Sequence, residues 1–474
     1  MIGNLHPSCD RIALVSPSAA SPVTYAELHA LVRDVAARWT ASRRQLVFLR
    51  VRNDLASVLA FLSLREAGHV VVLVDQALAP ELFDALVNAY HPDLIVSSDI
   101  GERAGREPAG GELMEMGEVS CTVISARSAR PPALHDQLAL CLTTSGSTGS
   151  PKLVRLSETA LTSNARAIAS ALDISCDDRA VTCLPLHYAY GLSILTSHLA
   201  AGASVVLSAD SVMDGAFWST VRERGVTSLA GVPYTYEMLE RLGYGRVIPS
   251  SIRTMTQAGG RLSDAATLRA HAFMSERGGR FHVMYGQTEA TARMAVLPHE
   301  WLPDYVGCAG RAIQGGTLAA YSEAGEVLGP DDEGELVYRG PNVMLGYATT
   351  REDLALGDVQ RGVLHTGDLG VVSATGVVRI TGRLKRMGKL FGVRVDLDML
   401  ETLAGTTAPT AIIEGDNAII IFAAGGDAAD IEALRARIAS RLQVKQRVID
   451  VRRIAALPRT SSGKVDYPTL RACA

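Results

Sequence analysis

The feature that most constrains the fold is a regular alternation of short apolar runs and helix-like patterns in the first hundred residues. The run Leu46–Val51 (LVFLRV) predicts a buried strand, and the residues from Leu55 to Ala67 have apolar side chains at helical spacing. Similar apolar runs recur at Val70–Val74 and Leu94–Ser97, with a helix predicted over Pro80–Tyr90 between them. Strands that are apolar on both faces and alternate with helices are typical of a parallel sheet covered by helices on both sides.

The pattern repeats and then changes along the chain. Residues 100–132 are rich in Gly, Glu and Pro, and their weak periodicity predicts a connection between two α/β subdomains, the second of which begins near residue 143. Short strands over residues 318–380 indicate a small β-rich subdomain, and residues 393–451 indicate a separate small α+β domain. The predicted fold class is therefore α/β, with a large N-terminal domain of two α/β subdomains plus a small β-rich subdomain, followed by a small, mobile α+β C-terminal domain.

Composition limits the classes of function that fit. With 474 residues, the chain is longer than one hydrophobic core usually organises, so we expect two or three domains. The formal net charge of -4 gives no electrostatic basis for a nucleic-acid or anionic-membrane partner. The seven cysteines are scattered without a C-x-x-C pair, the N-terminus has no secretory pattern, and apolar runs such as Ala418–Ala424 are too short to span a bilayer. These features predict free thiols and a cytoplasmic location.

A run of small hydroxyl residues and glycines, residues 142–152 (LTTSGSTGSPK), follows a predicted strand and closes on Lys152. Glycines let backbone N–H groups converge on an anion, and Ser or Thr hydroxyls add donors, so the run predicts a phosphate-binding loop. Pro151 before the lysine, and the lack of a Ser or Thr after it, argue against the loop of P-loop kinases and GTPases. A flexible Ser/Gly linker is the alternative, although a helical pattern follows the run.

Three further stretches place polar groups where a strand should end. Residues 285–289 (YGQTE) offer an aromatic face and a carboxylate, residues 365–368 (HTGD) place a carboxylate in a turn, and residues 457–464 (LPRTSSGK) form a loop that ends in a lysine. Taken alone, the tyrosine reads as a core aromatic, the carboxylates as solvated turn residues and the lysine as a surface cation. Their order along the chain gives them a more specific meaning.

Together these stretches resemble, in the usual order, the motifs of the adenylate-forming superfamily, which includes acyl- and aryl-CoA synthetases, carrier-protein adenylation domains and firefly luciferase. The resemblance covers about residues 139–467. It implies that Glu289 ligates Mg²⁺, a hard ion that prefers oxygen donors, with Thr144 or Thr148 near the metal. The loop implied to hold the β- and γ-phosphates of ATP comprises Thr144, Ser145, Gly146, Ser147, Thr148, Gly149 and Lys152.

The resemblance also assigns residues to the rest of the nucleotide. Asp368 is implied to accept hydrogen bonds from the ribose hydroxyls, with Arg383 holding the ribose or phosphates. Lys464 is implied as the catalytic lysine, because attack of a carboxylate on the α-phosphorus brings two anions together and an ammonium stabilises that transition state. The residues implied at the adenine and the α-phosphate are Tyr285, Gly259, Gly260, Gly286 and Thr288.

The acid pocket is implied by residues near His187, which corresponds to a histidine close to the substrate carboxylate and the thiol entry path. A lone histidine among apolar residues is otherwise more often a core group. Amino-acid-activating relatives usually carry an aspartate here, whereas this chain has the histidine and tyrosines, so the predicted substrate is an aryl or short to medium aliphatic acid rather than an α-amino acid. The residues implied to border the acid are Tyr188, Tyr190, Gly191, Val232 and Ala258.

The implied activity is an ATP-dependent acid–thiol ligase: an acid and ATP give acyl-AMP and pyrophosphate, and a thiol then displaces AMP. Lys385 corresponds to the hinge, which divides the chain into an AMP-binding domain, 1–384, and a C-terminal lid domain, 385–474. CoA and the phosphopantetheine arm of a carrier protein are both open as acceptors, and transfer to an amine or to oxygen shares the same first half-reaction. A catalytically silent nucleotide-binding homologue is the alternative of another class.

Overall fold

The described residues of this computed structural model form two compact units. The described ranges are 9–17, 21–98, 112–116, 118–125, 132–143, 152–390, 393–404, 409–415, 418–442, 444–460 and 463–473. Those within 9–317 and 338–364 form the first unit, and those within 318–337 and 365–473 form the second. The predicted boundary at Lys385 falls inside the second unit and stays a prediction.

The strands, in chain order, are β1 Ile12–Val15, β2 Val23–Thr24, β3 Leu46–Val51, β4 Val70–Asp75, β5 Leu94–Ser97, β6 Glu112–Met116, β7 Val119–Ser125, β8 Leu138–Thr143, β9 Leu153–Ser157, β10 Arg179–Val181, β11 Ser204–Val206, β12 Ser228–Gly231, β13 Thr254–Gln257, β14 Arg280–Tyr285, β15 Ala295–Leu297, β16 Arg311–Ala312, β17 Thr317–Tyr321, β18 Gly334–Arg339, β19 Gly346–Ala348, β20 Val363–Val372, β21 Val378–Arg383, β22 Met387–Leu390, β23 Val393–Asp396, β24 Thr410–Gly415, β25 Ala418–Ala424 and β26 Ile449–Ile454.

The α-helices are α1 Tyr25–Arg38, α2 Leu55–Glu66, α3 Pro80–Tyr90, α4 Glu158–Ala171, α5 Ala189–Ala200, α6 Gly215–Glu223, α7 Pro233–Leu242, α8 Tyr244–Val247, α9 Asp264–Ser275, α10 Leu397–Ala404, α11 Ala428–Leu442 and α12 Tyr467–Ala472. Several begin where the sequence supplies a side-chain cap. Asp54 accepts a hydrogen bond from the N–H of Ser57 at the start of α2, and Ser157 does the same for Ala160 in α4. No helix in the described ranges is both long and apolar enough to cross a lipid bilayer.

The first unit is built on two mixed sheets with parallel centres. One has eight strands in the order β19-β9-β8-β4-β3-β5-β7-β6, and the other has nine in the order β16-β15-β14-β13-β12-β10-β11-β1-β2. Helix α2 packs on β3 and β4, and α5 packs on β10 and β11. Both helices are buried almost all round, which explains their apolar sequences.

The second unit contains a four-stranded sheet, β17-β18-β20-β21, a hairpin of β22 and β23, and a three-stranded sheet, β24-β25-β26. Helices α10 and α11 pack against one another and enclose a core with Ile412, Ile421 and Ile438. These strands and helices agree with the predicted short-strand region and the α+β tail, and the α/β fold class as a whole is confirmed.

Two expectations about strand order were wrong. Residues 112–125 contain the antiparallel hairpin of β6 and β7, which extends the eight-stranded sheet, where a connection was predicted. A second subdomain was also predicted to begin near residue 143, but β9, the strand after the glycine-rich run, pairs antiparallel with β8 in that same sheet. Strand β6 is an edge strand and is mostly exposed, so it does not need a continuous apolar sequence. Its acidic sequence therefore lacks the apolar periodicity by which the inner strands were predicted.

Candidate active site

Glu289 lies just beyond the carboxyl end of β14, in a short 3₁₀ helix over Thr288–Ala290 that the chain enters through Gly286. A Cβ at Gly286 would lie 1.8 Å from the carbonyl oxygen of Ala292, so only glycine fits there. Tyr285, the last residue of β14, is buried, with 8% of its surface exposed. Glycine at position 286 is therefore required by the fold of this turn, independently of any ligand.

Two residues of the predicted site, Glu289 and Lys152, both contact Tyr347. The hydroxyl of Tyr347 donates a hydrogen bond of 2.8 Å to Oε1 of Glu289, and Nζ of Lys152 lies 3.2 Å from the centroid of the Tyr347 ring. Burial and the neighbouring Glu289 carboxylate raise the pKa of the Tyr347 hydroxyl above its ordinary value, so it stays a donor at neutral pH. Lys152, which is predicted to bind phosphate, and Glu289, which is predicted to bind the metal ion, thus contact the same tyrosine.

The backbone after Glu289 is strained and is held by buried amides. Thr291 has φ of 60° and Ala292 has φ of 128°, both in the region that favours glycine. The amide of Asn342 donates to the carbonyls of Ala290 at 2.8 Å and of Arg293 at 2.9 Å. Thr291 donates from its hydroxyl to the carbonyl of Asn342 at 2.7 Å, so a residue distant in sequence fixes this turn.

Arg155 fixes the position of Tyr347. Its side chain is fully buried in β9, and its guanidinium donates to the carbonyls of Leu345, Tyr347, Leu356 and Gly357. Gly346 has φ of +135°, and a Cβ there would lie 2.8 Å from Nη2 of Arg155. Glycine is therefore required opposite the guanidinium, and the pairing of β19 with β9 sets where the tyrosine points.

His187 lies near the carboxyl end of β4, with 11% of its side chain exposed. Its Nε2 lies 3.6 Å from Oδ2 of Asp75, longer than a hydrogen bond, and burial lowers its pKa while the carboxylate opposes that shift. Asn53 accepts a hydrogen bond from the N–H of Leu186 and donates to the carbonyl of Leu184, which fixes the segment before the histidine. His187 is therefore largely neutral at neutral pH.

The residues predicted to border the acid do lie together. A Cβ at Gly259 would be 2.5 Å from the hydroxyl of Tyr188 and 3.1 Å from Val232. The rings of Tyr188 and Tyr190 are 6.3 Å apart, and the Tyr190 hydroxyl bonds Thr256. The remaining predicted pocket and adenine positions lie nearby: Ala258 with Val232 and Tyr190 in one buried cluster, Gly191 against the Pro185 carbonyl, and Gly260 against Pro233.

In the second unit, Asp368 and Arg383 face each other across the hairpin of β20 and β21. Nε of Arg383 lies 2.9 Å from Oδ1 of Asp368, whose side chain is 3% exposed. Both residues lie in strands, although a turn was predicted at Asp368; Gly367 has φ of +70°, and its N–H donates to Glu335, which fixes the backbone before the aspartate. The two residues predicted at the ribose therefore form an ion pair.

Lys464 lies in a short loop that closes on itself. The N–H of Thr460 donates to the carbonyl of Lys464 at 2.9 Å, and Arg459 donates to the carbonyl of Gly463 at 3.0 Å. Three residues on, the hydroxyl of Tyr467 donates to both carboxylate oxygens of Glu401 at 2.9 Å. This places the lysine at the start of a segment anchored to the core of the second unit.

Part of the predicted site lies outside the described residues. This applies to Thr144, Ser145, Gly146, Ser147, Thr148 and Gly149, and to the side chain of Lys385. Sequence reasoning missed Asp75, Asn342 and Tyr347, which bear on the predicted site through contacts between distant segments. Of these three, only Asp75, the polar residue that ends the apolar strand β4, had a local signal that could have marked it.

Comparisons with known proteins identify the family of the chain. Residues 4–348 match the protein family described as AMP-binding enzyme. A feruloyl-CoA synthase from an Amycolatopsis species is 30% identical over 84% of this chain and 83% of its own length. A 2-succinylbenzoate–CoA ligase from Bacillus cereus (strain AH820) is 30% identical over 76% of this chain and 73% of its own length. An oxalate–CoA ligase from Arabidopsis thaliana is 27% identical over 96% of this chain and 94% of its own.

Solved structures show the same fold. The o-succinylbenzoate CoA synthetase of Bacillus subtilis, in complex with its acyl-adenylate intermediate, gives a TM-score of 0.78 at 23% identity over 99% of this chain and 96% of that chain. ATP-bound MatB from Rhodopseudomonas palustris gives a TM-score of 0.77 at 21% identity over 100% of this chain and 98% of that chain. With the family match over most of its length, the chain belongs to the AMP-binding enzymes of the adenylate-forming superfamily.

Proposed function

We propose that this enzyme activates a carboxylic acid with ATP and transfers the acyl group to the thiol of CoA. The observation that carries the proposal is the meeting of Lys152 and Glu289 on Tyr347, beyond the carboxyl ends of β8 and β14. Ligands of open α/β sheets bind at such strand ends. An ammonium and a carboxylate at one place suit a nucleotide phosphate and its metal ion, respectively.

The donor set fits ATP and Mg²⁺. Glu289 would supply the hard oxygen that Mg²⁺ prefers, Lys152 would contact phosphate oxygens, and Asp368 with Arg383 would hold the ribose. When bound, Mg²⁺ neutralises charge on the phosphate oxygens. Among the described residues, no cluster of three or more His, Cys, Asp or Glu side chains could hold a metal by protein ligands alone. A single carboxylate suits an ion that takes its other ligands from phosphate and water.

Residues of the chain would then stabilise the negative charge that develops in the first step. The substrate carboxylate attacks the α-phosphorus, its oxygen bonds to phosphorus, and pyrophosphate leaves. Lys464 would stabilise the charge that concentrates between the two anions as they meet. His187, whose pKa is lowered by burial, would lie beside the acid.

We propose CoA as the acceptor and an acid without an α-ammonium as the substrate. The curated relatives named above are CoA ligases for oxalate, 2-succinylbenzoate and, in the feruloyl-CoA synthase, a feruloyl group. The pocket residues Tyr188, Tyr190 and Val232 are aromatic or aliphatic and offer no carboxylate to an ammonium. A compact aryl or aliphatic acid suits such a lining.

The segment after Lys385 is proposed to rotate between the two half-reactions, with domains at 1–384 and 385–474. Support comes from Arg386, the next residue, whose guanidinium binds Asp398 and Glu401 and stacks on Tyr467 at 4.0 Å. All three partners follow the hinge in sequence, so the chain is anchored to the C-terminal segment from Arg386 onward.

The test is acid-dependent exchange of pyrophosphate into ATP across aryl, aliphatic, dicarboxylic and amino acids, followed by thioester assays with CoA and with a phosphopantetheinylated carrier protein. We expect exchange with at least one non-amino acid and a thioester with CoA. Acyl transfer to the carrier protein alone would contradict the proposed acceptor. Exchange with amino acids alone would contradict the proposed substrate class, and ATP that fails to bind would contradict the activity itself.

A further inference from the structure

The segment 342–347 contacts the Glu289 turn at three successive points. Asn342 donates to the carbonyl of Ala290 at 2.8 Å, the N–H of Met344 donates to the carbonyl of Glu289 at 2.8 Å, and Tyr347 donates to the Glu289 carboxylate at 2.8 Å. The first two contacts fix the backbone at Glu289 itself and at the residue after it. The third fixes the direction of the carboxylate, which backbone contacts alone leave free to rotate about its side-chain bonds.

The same segment meets Lys152 through strand register. In the pairing of β19 with β9, Tyr347 is opposite Val154 and Ala348 is opposite Leu153, so Lys152 stands just beyond the last paired position. Its ammonium lies over the face of the Tyr347 ring, 3.2 Å from the centroid, well inside the range of a cation–π contact. The Tyr347 side chain thus donates a hydrogen bond from its hydroxyl to the Glu289 carboxylate and contacts the Lys152 ammonium with the face of its ring.

We propose that Tyr347 is a positioning residue of the nucleotide site, whose hydroxyl orients the Glu289 carboxylate toward the metal ion and whose ring holds the Lys152 ammonium toward the phosphates. This inference rests on the proposed function. A hydrogen-bond donor behind a metal-ligating carboxylate fixes which oxygen faces the ion, and loss of such partners typically costs 10- to 100-fold in metal affinity or activity.

The position of Tyr347 is built into the fold rather than left to a loop. Arg155 bonds the carbonyls on both sides of Gly346 and those of Leu356 and Gly357, so the backbone that bears the tyrosine is held from within the sheet. The hydroxyl is therefore delivered to Glu289 by the pairing of an edge strand. A positioning role follows from that rigidity, because a mobile tyrosine would not discriminate between carboxylate rotamers.

The test compares Tyr347→Phe, which removes the hydroxyl and keeps the ring, with Tyr347→Leu, which removes both. Calorimetric titration measures ATP affinity at several Mg²⁺ concentrations and with chelator. For Tyr347→Phe we expect about a tenfold rise in the Mg²⁺ concentration for half-maximal ATP affinity, with metal-free ATP affinity unchanged. For Tyr347→Leu we expect the same rise and a further loss of about two- to fivefold in metal-free affinity, since Lys152 loses its cation–π contact.

Tyr305→Phe is the matched control, because Tyr305 is 37% exposed in the first unit and lies outside the site. It should bind ATP and Mg²⁺ as the wild type does. Thermal unfolding of each variant checks that the fold is kept. Should Tyr347→Leu fail to fold, Tyr347→Phe alone carries the test of the hydroxyl.

A double-mutant cycle separates an effect through Glu289 from a general one. In a Glu289→Gln background, Tyr347→Phe should change the Mg²⁺ dependence less than twofold. A Tyr347→Phe variant with wild-type Mg²⁺ dependence would overturn the positioning role, and so would a full tenfold effect in the Glu289→Gln background. Wild-type protein that binds no ATP would instead overturn the proposed function, and this inference with it.

Discussion

The two units fix their predicted functional side chains in different ways. In the first unit, the partners are far apart in the chain: Tyr347 bonds Glu289 across 58 residues, and Asn53 bonds the segment before His187 across 133. In the second unit, the loop of Lys464 is closed by bonds across four residues, such as that from Arg459 to Gly463. Contacts between distant residues, as in the first unit, form only when the fold is complete. A loop closed by contacts between near neighbours, as at Lys464, is determined mostly by its own sequence.

This contrast also explains what sequence reasoning found. Helix and strand positions were predicted within a residue or two, as for Leu46–Val51 and Pro80–Tyr90, because apolar periodicity is local. Asp368 and Lys464 were singled out from their own motifs. The structure places Asp368 inside strand β20, where a turn was predicted, and Lys464 in a locally closed loop. Tyr347 and Asn342 were missed, since nothing near them in sequence indicates that they reach the Glu289 turn.

The hairpin of β6 and β7 was missed for a related reason. Its outer strand, Glu112–Met116, is mostly exposed and acidic, so it lacks the apolar run that marked the inner strands. Edge strands take their conformation from the neighbour they pair with rather than from their own pattern. Strand β9, which follows the glycine-rich run, was assigned to the wrong subdomain because membership of a sheet is decided by pairing between strands and not by local pattern.

The largest expected effect tests the local loop of the second unit. Lys464→Ala should lower the rate of adenylate formation about 10²- to 10³-fold, because its charge acts mainly as the transition state forms. ATP affinity should change little. Pyrophosphate exchange and calorimetric ATP binding, measured on the same preparation, check both expectations. Exchange near the wild-type rate would show that Lys464 is not the catalytic lysine.

The next effect tests the long-range contacts of the first unit. Asn342→Ala removes the donors to Ala290 and Arg293 and leaves the Tyr338 hydroxyl without its acceptor. We expect a loss of roughly 2–4 kcal/mol in the free energy of unfolding, since each buried polar group left unpaired costs about 1–3 kcal/mol. Asn164→Ala is the matched control, because the Arg293 carbonyl would keep its bond from Asn342. Equal losses in the two variants, by denaturant unfolding, would contradict a special role for Asn342.

A third test uses pH to separate the units. Burial lowers the pKa of His198 and of His282 to about 4, from 6.5, and both lie in the first unit. Because the unfolded chain binds these protons first, the first unit should lose stability as pH falls from about 6.5 toward 4, on the order of 2 kcal/mol per histidine. The second unit has a single histidine, His365, which is exposed.

Hydrogen exchange read peptide by peptide gives the opening free energy of each unit at several pH values. Exchange in the first unit should accelerate toward acid, beyond its intrinsic pH dependence, more than exchange in the second. His198→Gln and His282→Gln, which do not titrate, should each flatten the slope for the first unit. Slopes that stay unchanged in both variants would show that other groups cause the acid sensitivity.

The smallest expected effect concerns the anchor behind Lys464. Tyr467→Phe removes the hydroxyl that donates to Glu401 and leaves the ring under Arg386. We expect a loss of about 1 kcal/mol in the stability of the second unit, as for an ordinary buried hydrogen bond. Chemical denaturation followed by hydrogen exchange at α12 measures it. A loss as large as that of Asn342→Ala would mean that this loop, too, depends on distant contacts.

The edge position of β19 has a consequence for synthesis. Strand β9 offers an open edge from the moment it forms, and its partner at Gly346–Ala348 leaves the ribosome only after nearly two hundred further residues. During that interval the nascent chain displays an unpaired strand, the kind of surface that chaperones cover and that pairs wrongly with other chains. The last strand to join the sheet also brings Tyr347 to Lys152 and Glu289, so these contacts form only after that interval has passed.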